Sequence, residues 1–122
     1  MAVIVENPNT ISGAANATTV QEYQTTMGYF RVELRRLISG GNVYMWTRVT
    51  VNYPSNYYID PILTMAGTTV RYGWSSGDNQ KKGSVYCTKA IGYPTQAQPF
   101  SGKFGTGTTG GEGPEAVAFN NK

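Results

Sequence analysis

Two neighbouring stretches of the chain alternate regularly between apolar and polar side chains. They are YFRVELRRLI (residues 29–38) and NVYMWTRVTVNY (residues 42–53). Both have the period of two that is typical of half-buried β-strands. Gly40-Gly41 lies at their junction and can supply the positive φ angles of a two-residue turn. The pattern therefore predicts a β-hairpin over residues 29–53.

A two-residue turn also determines which residues of the two strands face each other. On one face the predicted pairs are Phe30–Val51, Val32–Val49, Leu34–Thr47 and Ile38–Val43. On the other face they are Glu33–Arg48, Arg35–Trp46 and Leu37–Tyr44. The first face is apolar, so we expect it to point into the core. Arg36 falls on this face opposite Met45, which predicts either a bulge near Arg35-Arg36 or a position at the rim of the sheet.

Shorter strands are predicted elsewhere in the chain. The candidates are AVIV (2–5), ILTMA (62–66), TTVRYGW (68–74), SVYCTKAIGY (84–93) and EAVAF (115–119), of which the first and last are expected at edges. Pro54 and Pro61 bracket a predicted loop, because proline is disfavoured in the interior of a β-ladder. Residues 10–26 are mostly polar and predict a loop, with a short helix over residues 20–25 as the alternative.

Strands at this spacing predict an all-β fold, namely a single-domain antiparallel β-sandwich or small barrel with extended N- and C-terminal arms. The 122 residues are expected to form one domain, and the low charged fraction of 14% and the 15 glycines are typical of turn-rich β-proteins. Within it we predict an N-terminal arm and loop (1–28), core strands (29–93) and a glycine-rich C-terminal arm ending in a short strand (94–122).

The charge pattern gives little support to a nucleic-acid partner. Ten basic and seven acidic residues give a net charge of +3, and only Arg35-Arg36 and Lys81-Lys82 are adjacent basic pairs. Nucleic-acid-binding surfaces concentrate basic residues on one face. We expect no secretory signal, because MAVIVENPNT (residues 1–10) has neither a basic segment nor a long apolar core. No apolar run of the sequence reaches the roughly 20 residues of a transmembrane helix. We expect synthesis in the cytoplasm without a signal peptide, and a final location in a virion or an extracellular assembly.

The residues that usually carry catalysis or bind metals are scarce. The chain has no histidine, and its seven Asp and Glu residues show no spacing that indicates a shared site. Cys87 stands alone in an alternating run, which favours a buried, unreactive thiol. GTGTTG (105–110) has the glycine spacing of a dinucleotide-binding loop, but no helical pattern follows, so we expect a flexible glycine loop or an extended arm. We therefore expect no enzyme activity, no cofactor and no bound metal.

Aromatic and arginine residues are the strongest indication of a binding surface. The candidate interface residues are Tyr29, Arg31, Arg35, Tyr44, Trp46, Arg48, Tyr57 and Tyr58. Most of them share the second face of the hairpin, and aromatic side chains with arginine are enriched in recognition surfaces. This face is expected either to contact another molecule or to pack under a second layer of the same chain. Tyr72 and Trp74 are expected to share a strand face in the core.

These features predict a structural subunit of a symmetric assembly. The glycine-rich arm is expected to become ordered only against a neighbouring subunit. The expected partners are other copies of the chain and other virion proteins, in the coat, decoration or tail structure of a bacteriophage or virus, or in a filament. The alternative is a small signal-less β-sandwich lectin or lipid-binding cytolysin, which would bind a glycan or a membrane lipid through exposed Tyr and Trp side chains.

One segment bears on the lipid-binding alternative. VNYPSNYYID (residues 51–60) resembles the tyrosine-rich, proline-bracketed site at which actinoporin-like toxins bind lipid head groups. The resemblance covers these ten residues alone, and the sequence shows no counterpart of the amphipathic N-terminal helix of those toxins. Tyr57 and Tyr58 are neighbours in the predicted loop, so at least one of them is expected to reach a partner.

Overall fold

The computed structural model describes residues 3–25, 28–54, 59–72, 83–97, 100–108 and 115–121. In these residues the secondary structure consists of β-strands and short 3₁₀ turns, with no α-helix. The strands form two antiparallel sheets that pack face to face around one main core. The predicted all-β sandwich is confirmed.

Ten strands make up the two sheets in the described part of the chain. They are β1 (Ile4–Glu6), β2 (Thr18–Gln24), β3 (Phe30–Ser39), β4 (Asn42–Val51), β5 (Ile59–Met65), β6 (Thr68–Arg71), β7 (Val85–Cys87), β8 (Ala90–Pro94), β9 (Phe100–Thr108) and β10 (Glu115–Asn121). The first sheet has the order β1-β8-β4-β3-β2, and β7 also pairs with β4. The second sheet has the order β10-β9-β5-β6. Short 3₁₀ turns at Pro8–Thr10 and Ala14–Asn16 lie between β1 and β2.

The β3–β4 hairpin forms with the predicted register. Gly40 and Gly41 have φ angles of 58° and 80°, as a two-residue hairpin turn requires, and every predicted cross-strand pair is observed. The register passes through Arg36 without a bulge, so Arg36 stays opposite Met45. Its Nε donates to Asn121 Oδ1 of β10 at 2.8 Å. The second of the two predicted positions for Arg36, at the rim of the inner face, is the one observed.

The main core lies between the two sheets and is built largely from the inner face of the hairpin. Its fully buried members include Phe30, Val32, Leu34, Val49, Leu63, Met65, Ile91 and Phe104. Thr47 on this face is also buried, and its hydroxyl donates to the Ile62 carbonyl of the opposite sheet at 2.8 Å. Ile38 departs from the predicted core face and is 57% exposed, because it lies beside the turn at the end of β3.

Residues 18–24 form a strand in place of the predicted loop. β2 pairs with β3, and a bulge between Thr19 and Gln21 displaces Val20, which is 48% exposed. The bulge disturbs the alternation by which a strand is recognised, because the one aliphatic residue of the segment is left on the solvent side. Within the predicted N-terminal arm and loop (1–28), Ile4–Glu6 and Thr18–Gln24 are therefore strands of the first sheet, and the described residues between them form 3₁₀ turns and connecting loop.

The single strand predicted over residues 84–93 is divided in two. β7 and β8 both pair with β4, but the register shifts by one residue between Cys87 and Ile91. At the shift, Thr88 donates its N–H to the Thr47 carbonyl at 3.0 Å and accepts the Thr47 N–H with its hydroxyl at 3.1 Å. The hydroxyl thus satisfies a donor of β4 where the regular ladder is interrupted.

Pro61 lies inside β5 instead of before it. The strand begins at Ile59, and Pro61 pairs with Thr106 of β9. On the other side the Pro61 carbonyl accepts the N–H of Tyr72, just beyond the end of β6. The N–H and C=O of a strand residue point to the same side, so the N–H that proline lacks would face this end of β6. The ladder with β9 is therefore complete, which explains why proline is tolerated here.

The strand predicted over residues 68–74 ends early. β6 stops at Arg71, and Tyr72 is 36% exposed. Its ring meets that of Tyr86 edge-on, with centroids 5.3 Å apart. The predicted core position of Tyr72 is wrong, because the strand that would turn its side chain inward has already ended. Trp74 lies outside the described residues.

The glycine-rich segment predicted as a C-terminal arm contributes an interior strand. β9 lies between β5 and β10, and Phe104 in its middle is fully buried. Residues 105–108 continue this strand, so the described part of GTGTTG is not a loop. Glycine has no side chain to alternate, so hydrophobic periodicity does not reveal such a strand. The short strands predicted at the two ends are observed as β1 and β10, each at the edge of its sheet.

Gly102 of β9 leaves no room for a side chain. A Cβ at this position would overlap the main-chain oxygen of Thr64 and lie 3.1 Å from the ring of Phe119. We expect Gly102→Ala to lower the free energy of unfolding by roughly 1–3 kcal/mol, the usual cost of overpacking, measured by urea denaturation. Ser101→Ala, at the neighbouring exposed position, should change it by less than about 0.5 kcal/mol. Equal losses in the two variants would contradict this packing.

Candidate assembly interface

The outer face of the β3–β4 hairpin is covered by the N-terminal segment of the same chain. Tyr44 and Trp46 are 7% and 4% exposed, and they form a second apolar cluster with Ile11, Leu37 and Ala90. Ile11 belongs to the connection between β1 and β2. Of the two outcomes predicted for this face, packing under a second layer is therefore the one observed for Tyr44 and Trp46. A lectin site built on an exposed Trp46 is not supported.

A buried carboxylate lies at the centre of the same face. Glu33 is 1% exposed and accepts two hydrogen bonds from the Arg48 guanidinium, at 3.1 Å each, so the predicted pair is confirmed. The Thr19 hydroxyl donates a third bond at 2.5 Å, and Arg31 adds an ion pair at 3.9 Å. Burial alone would raise the pKa of Glu33, but these hydrogen bonds and positive charges outweigh it and hold the pKa below its ordinary value.

The other arginines of this face are also engaged within the chain. Arg35 donates to the Thr19 hydroxyl at 2.7 Å and to a main-chain carbonyl at 3.0 Å. Burial, with the nearby charge of Arg48, lowers the pKa of the Arg35 guanidinium. Arg31 is half exposed and pairs with Glu22 of β2. The three predicted arginines therefore link β2, β3 and β4 to one another.

The remaining predicted tyrosines are Tyr29, Tyr57 and Tyr58, of which the structure describes Tyr29 alone. Tyr29 packs on the main core, where its ring meets that of Tyr53 edge-on with centroids 4.6 Å apart. Tyr57 and Tyr58 lie outside the described residues. In the part of the chain that the structure describes, the predicted interface residues thus serve contacts within the subunit.

The buried Glu33 makes the stability of the fold depend on pH. The pKa of Glu33 in the folded chain lies below its ordinary value of about 4.5, so its contribution is present above that pH and is lost as pH falls through the lower folded pKa. Glu33→Gln should lower the free energy of unfolding at pH 7 by roughly 2–4 kcal/mol, because Arg48 then has no anionic partner. The difference from the unsubstituted chain should shrink toward pH 3.

Urea denaturation at a series of pH values measures this effect. Glu22→Gln is the matched control, since it removes the carboxylate of an exposed ion pair, and it should cost less than about 1 kcal/mol. A loss in Glu33→Gln that is constant from pH 7 to pH 3 would show that the Glu33 charge does not stabilise the fold.

A cleft of about 400 Å³ lies beside β7, on the side of the sandwich away from β2. Its lining includes Tyr72, Tyr86, Cys87, Lys89 and Asn9. Cys87 is half-buried, and burial raises the pKa of its thiol. The thiol is therefore protonated at neutral pH. The predicted burial of Cys87 is found only in part, because this residue also lines the cleft.

β10 presents an outward main-chain edge at the border of the second sheet. Met65 and Thr68 flank the two-residue turn between β5 and β6 and exchange hydrogen bonds, so the even-numbered residues of β5 point their main-chain groups toward β9. The β5–β9 register then places the main-chain groups of the even-numbered residues of β9 toward β10. By the β9–β10 register, the N–H and C=O groups of Ala116, Ala118 and Asn120 in β10 point away from β9.

A contact with the first sheet agrees with this direction. The Ala118 carbonyl accepts a long hydrogen bond of 3.4 Å from Gln21 Nε2 of β2. The rings of Tyr23 in β2 and Phe104 in β9 also lie 5.6 Å apart, centroid to centroid. β2 and β10 therefore run along the same side of the sandwich, one in each sheet.

β10 lacks the features that usually protect an edge strand from pairing with another chain. Its register with β9 has no bulge, and it contains no proline or lysine and a single charged residue, Glu115. β2, by contrast, carries the bulge at Val20 and the charged Glu22. The other edge strands in the described residues, β1, β6 and β7, are only three or four residues long. β10 is therefore the described edge best suited to pair with a further strand.

A groove of about 350 Å³ lies between β10 and β2 next to this edge. Its lining combines the exposed Val20 and the buried Leu34, Met45 and Phe119 with four polar side chains, those of Gln21, Arg36, Asn120 and Asn121. We call the outward edge of β10 together with this groove the β10 edge site. The sequence predicts the strand but not the site. The feature of the sequence that could have indicated an edge open to pairing is the absence of charged residues over AVAFNN, residues 116–121.

No protein-family model matches the sequence, and comparisons with curated proteins and with solved structures each find no match. Among the described residues, no helix has the length and apolar character needed to cross a membrane. In the same residues, no three His, Cys, Asp or Glu side chains are grouped as ligands for a metal ion. The functional proposal therefore rests on the fold and on the β10 edge site.

Proposed function

We propose that the chain is a non-enzymatic structural subunit of a symmetric assembly, as a coat, decoration or tail component of a virion or as the subunit of a filament. The observation that carries this proposal is the edge of β10, which in the described residues is paired with no further strand and carries no bulge, proline or lysine. An exposed edge strand offers a row of N–H and C=O groups to another chain, and natural monomers usually block such edges.

The proposal uses a different surface from the one that aromatic composition predicts. Tyr44 and Trp46 are buried within the subunit, and Arg35 and Arg48 are held in contacts between strands. The assembly contact is therefore made by main-chain groups of β10 and by the groove beside it, in which Val20 is the exposed apolar side chain. In this proposal the chain is made in the cytoplasm. Its partners in the assembly are other copies of itself and other virion proteins.

The mass of the protein in solution tests the proposal. Light scattering over a concentration series, followed by electron microscopy, should show discrete oligomers or particles built from the 13.3 kDa chain. Weak association at the level of about 1 mM would still be visible as a rise in mean mass at the highest concentrations. A mass that stays at 13.3 kDa throughout would contradict the proposal.

A second candidate function is a glycan- or lipid-binding module, favoured by the cleft beside β7. Tyr72 is 36% exposed there, with Lys89 and Asn9 also in the lining. Aromatic rings stack on sugar faces, and lysine and asparagine can donate hydrogen bonds to hydroxyl or phosphate groups. A monomer retained by a glycan column or by phosphatidylcholine vesicles, with retention lost in Tyr72→Ala and kept in Tyr72→Phe, would support this second candidate.

A further inference from the structure

The outward edge of β10 is symmetric about its central residue. β10 spans Glu115–Asn121, so Ala118 is the middle of its seven residues. The main-chain groups that point outward are those of Ala118 and of the residues two positions before and after it, Ala116 and Asn120. An antiparallel copy of β10 centred on Ala118 therefore matches all seven positions. We infer that two copies of the chain pair through β10 about a two-fold axis at Ala118.

The main-chain geometry provides complete hydrogen bonding in this register. Ala118 faces Ala118 of the second copy, and Ala116 faces Asn120. Each of these is a hydrogen-bonded pair of an antiparallel ladder, and two bonds per pair give about six across the two strands. The existing bond from Gln21 to the Ala118 carbonyl is compatible with the pairing, because a carbonyl oxygen has two lone pairs.

The side chains in this register are also compatible. On the inner face Val117, which is only partly buried in one subunit, falls opposite Phe119 of the second copy. Both residues are apolar, so the pairing extends the core across the axis. Glu115, the only charged residue of β10, falls opposite Asn121, so no like charges meet. The two four-stranded sheets would become one continuous sheet.

The position of β2 directs pairing to β10. β2 runs along the same side of the sandwich, so the β2 strands of the two copies come side by side next to the new pair. The bulge at Val20 and the charge of Glu22 disfavour a regular ladder between them. Val20, which is 48% exposed in one subunit, instead covers the junction. This inference rests on the proposed function and names the contact by which assembly begins.

A proline at the centre of the edge tests the hydrogen bonding. Proline is tolerated in an edge strand when the missing N–H points outward, so Ala118→Pro should keep the ladder with β9. It removes both central N–H groups of the pair, and we expect association on the order of 100-fold weaker, measured by light scattering. Ala118→Ser keeps the N–H and is the matched control, which should associate as the unsubstituted chain does.

A cysteine at the same position tests the register independently of any change in folding. Facing residues of a hydrogen-bonded pair have Cα atoms about 5.5 Å apart, which a disulfide can span. Under mild oxidation, Ala118→Cys in a Cys87→Ser background should form a covalent dimer. Asn120→Cys in the same background is the control, since its copies would be four residues apart along the strand, about 13 Å. It should not cross-link.

The outcomes separate this inference from the function on which it rests. A dimer linked through Ala118→Cys but not through Asn120→Cys, with association lost in Ala118→Pro, supports two-fold β10 pairing. An unsubstituted chain that assembles while Ala118→Cys fails to cross-link, or while both cysteine variants cross-link equally, overturns the β10 contact and leaves the structural role standing. A chain that stays monomeric at every concentration overturns both.

Discussion

The two-residue turn at Gly40-Gly41 is the constraint on which the rest of the sandwich depends. It sets the register of β3 against β4, and both faces of this hairpin are buried, one by the second sheet and the other by the N-terminal segment. A shift of one residue would exchange the two faces and move the Glu33 carboxylate into the apolar core. Because β2, β7 and β8 all pair with the hairpin, its register also positions them.

The polar contacts of the outer face strengthen this choice of register. A buried ion pair usually adds little stability compared with apolar residues of the same volume. The Glu33–Arg48 pair, however, is connected to β2 through the Thr19 hydroxyl, which also accepts from Arg35. These groups satisfy one another only when three strands are aligned, so a misaligned chain would bury an unpaired charge. The composition rich in arginine and aromatic residues is used here mainly to order the subunit.

Local patterns predict the hairpin in full, including each facing pair, because alternation and turn chemistry both act between neighbouring residues. β2 is missed because its bulge places Val20 outside, and β9 is missed because glycine carries no hydrophobic signal. Whether Tyr44 and Trp46 are exposed depends on which residues pack over them. Ile11, which packs on them, is distant in the sequence, so the local pattern of the hairpin does not reveal their burial. The β10 edge site is likewise a property of sheet order, which periodicity within one strand does not contain.

The N-terminal cover of the hairpin also has a consequence for the order of folding. β1 pairs with β8, so the first described strand finds its partner only after most of the chain, with Val5 opposite Ile91. Contacts of such long separation form late, because closing the intervening chain costs entropy. During synthesis β1 leaves the ribosome first and has no partner strand until β8 follows. Until then the cover of Tyr44 and Trp46 lacks Ala90 of β8, so these two side chains are fully buried only once β8 has been made.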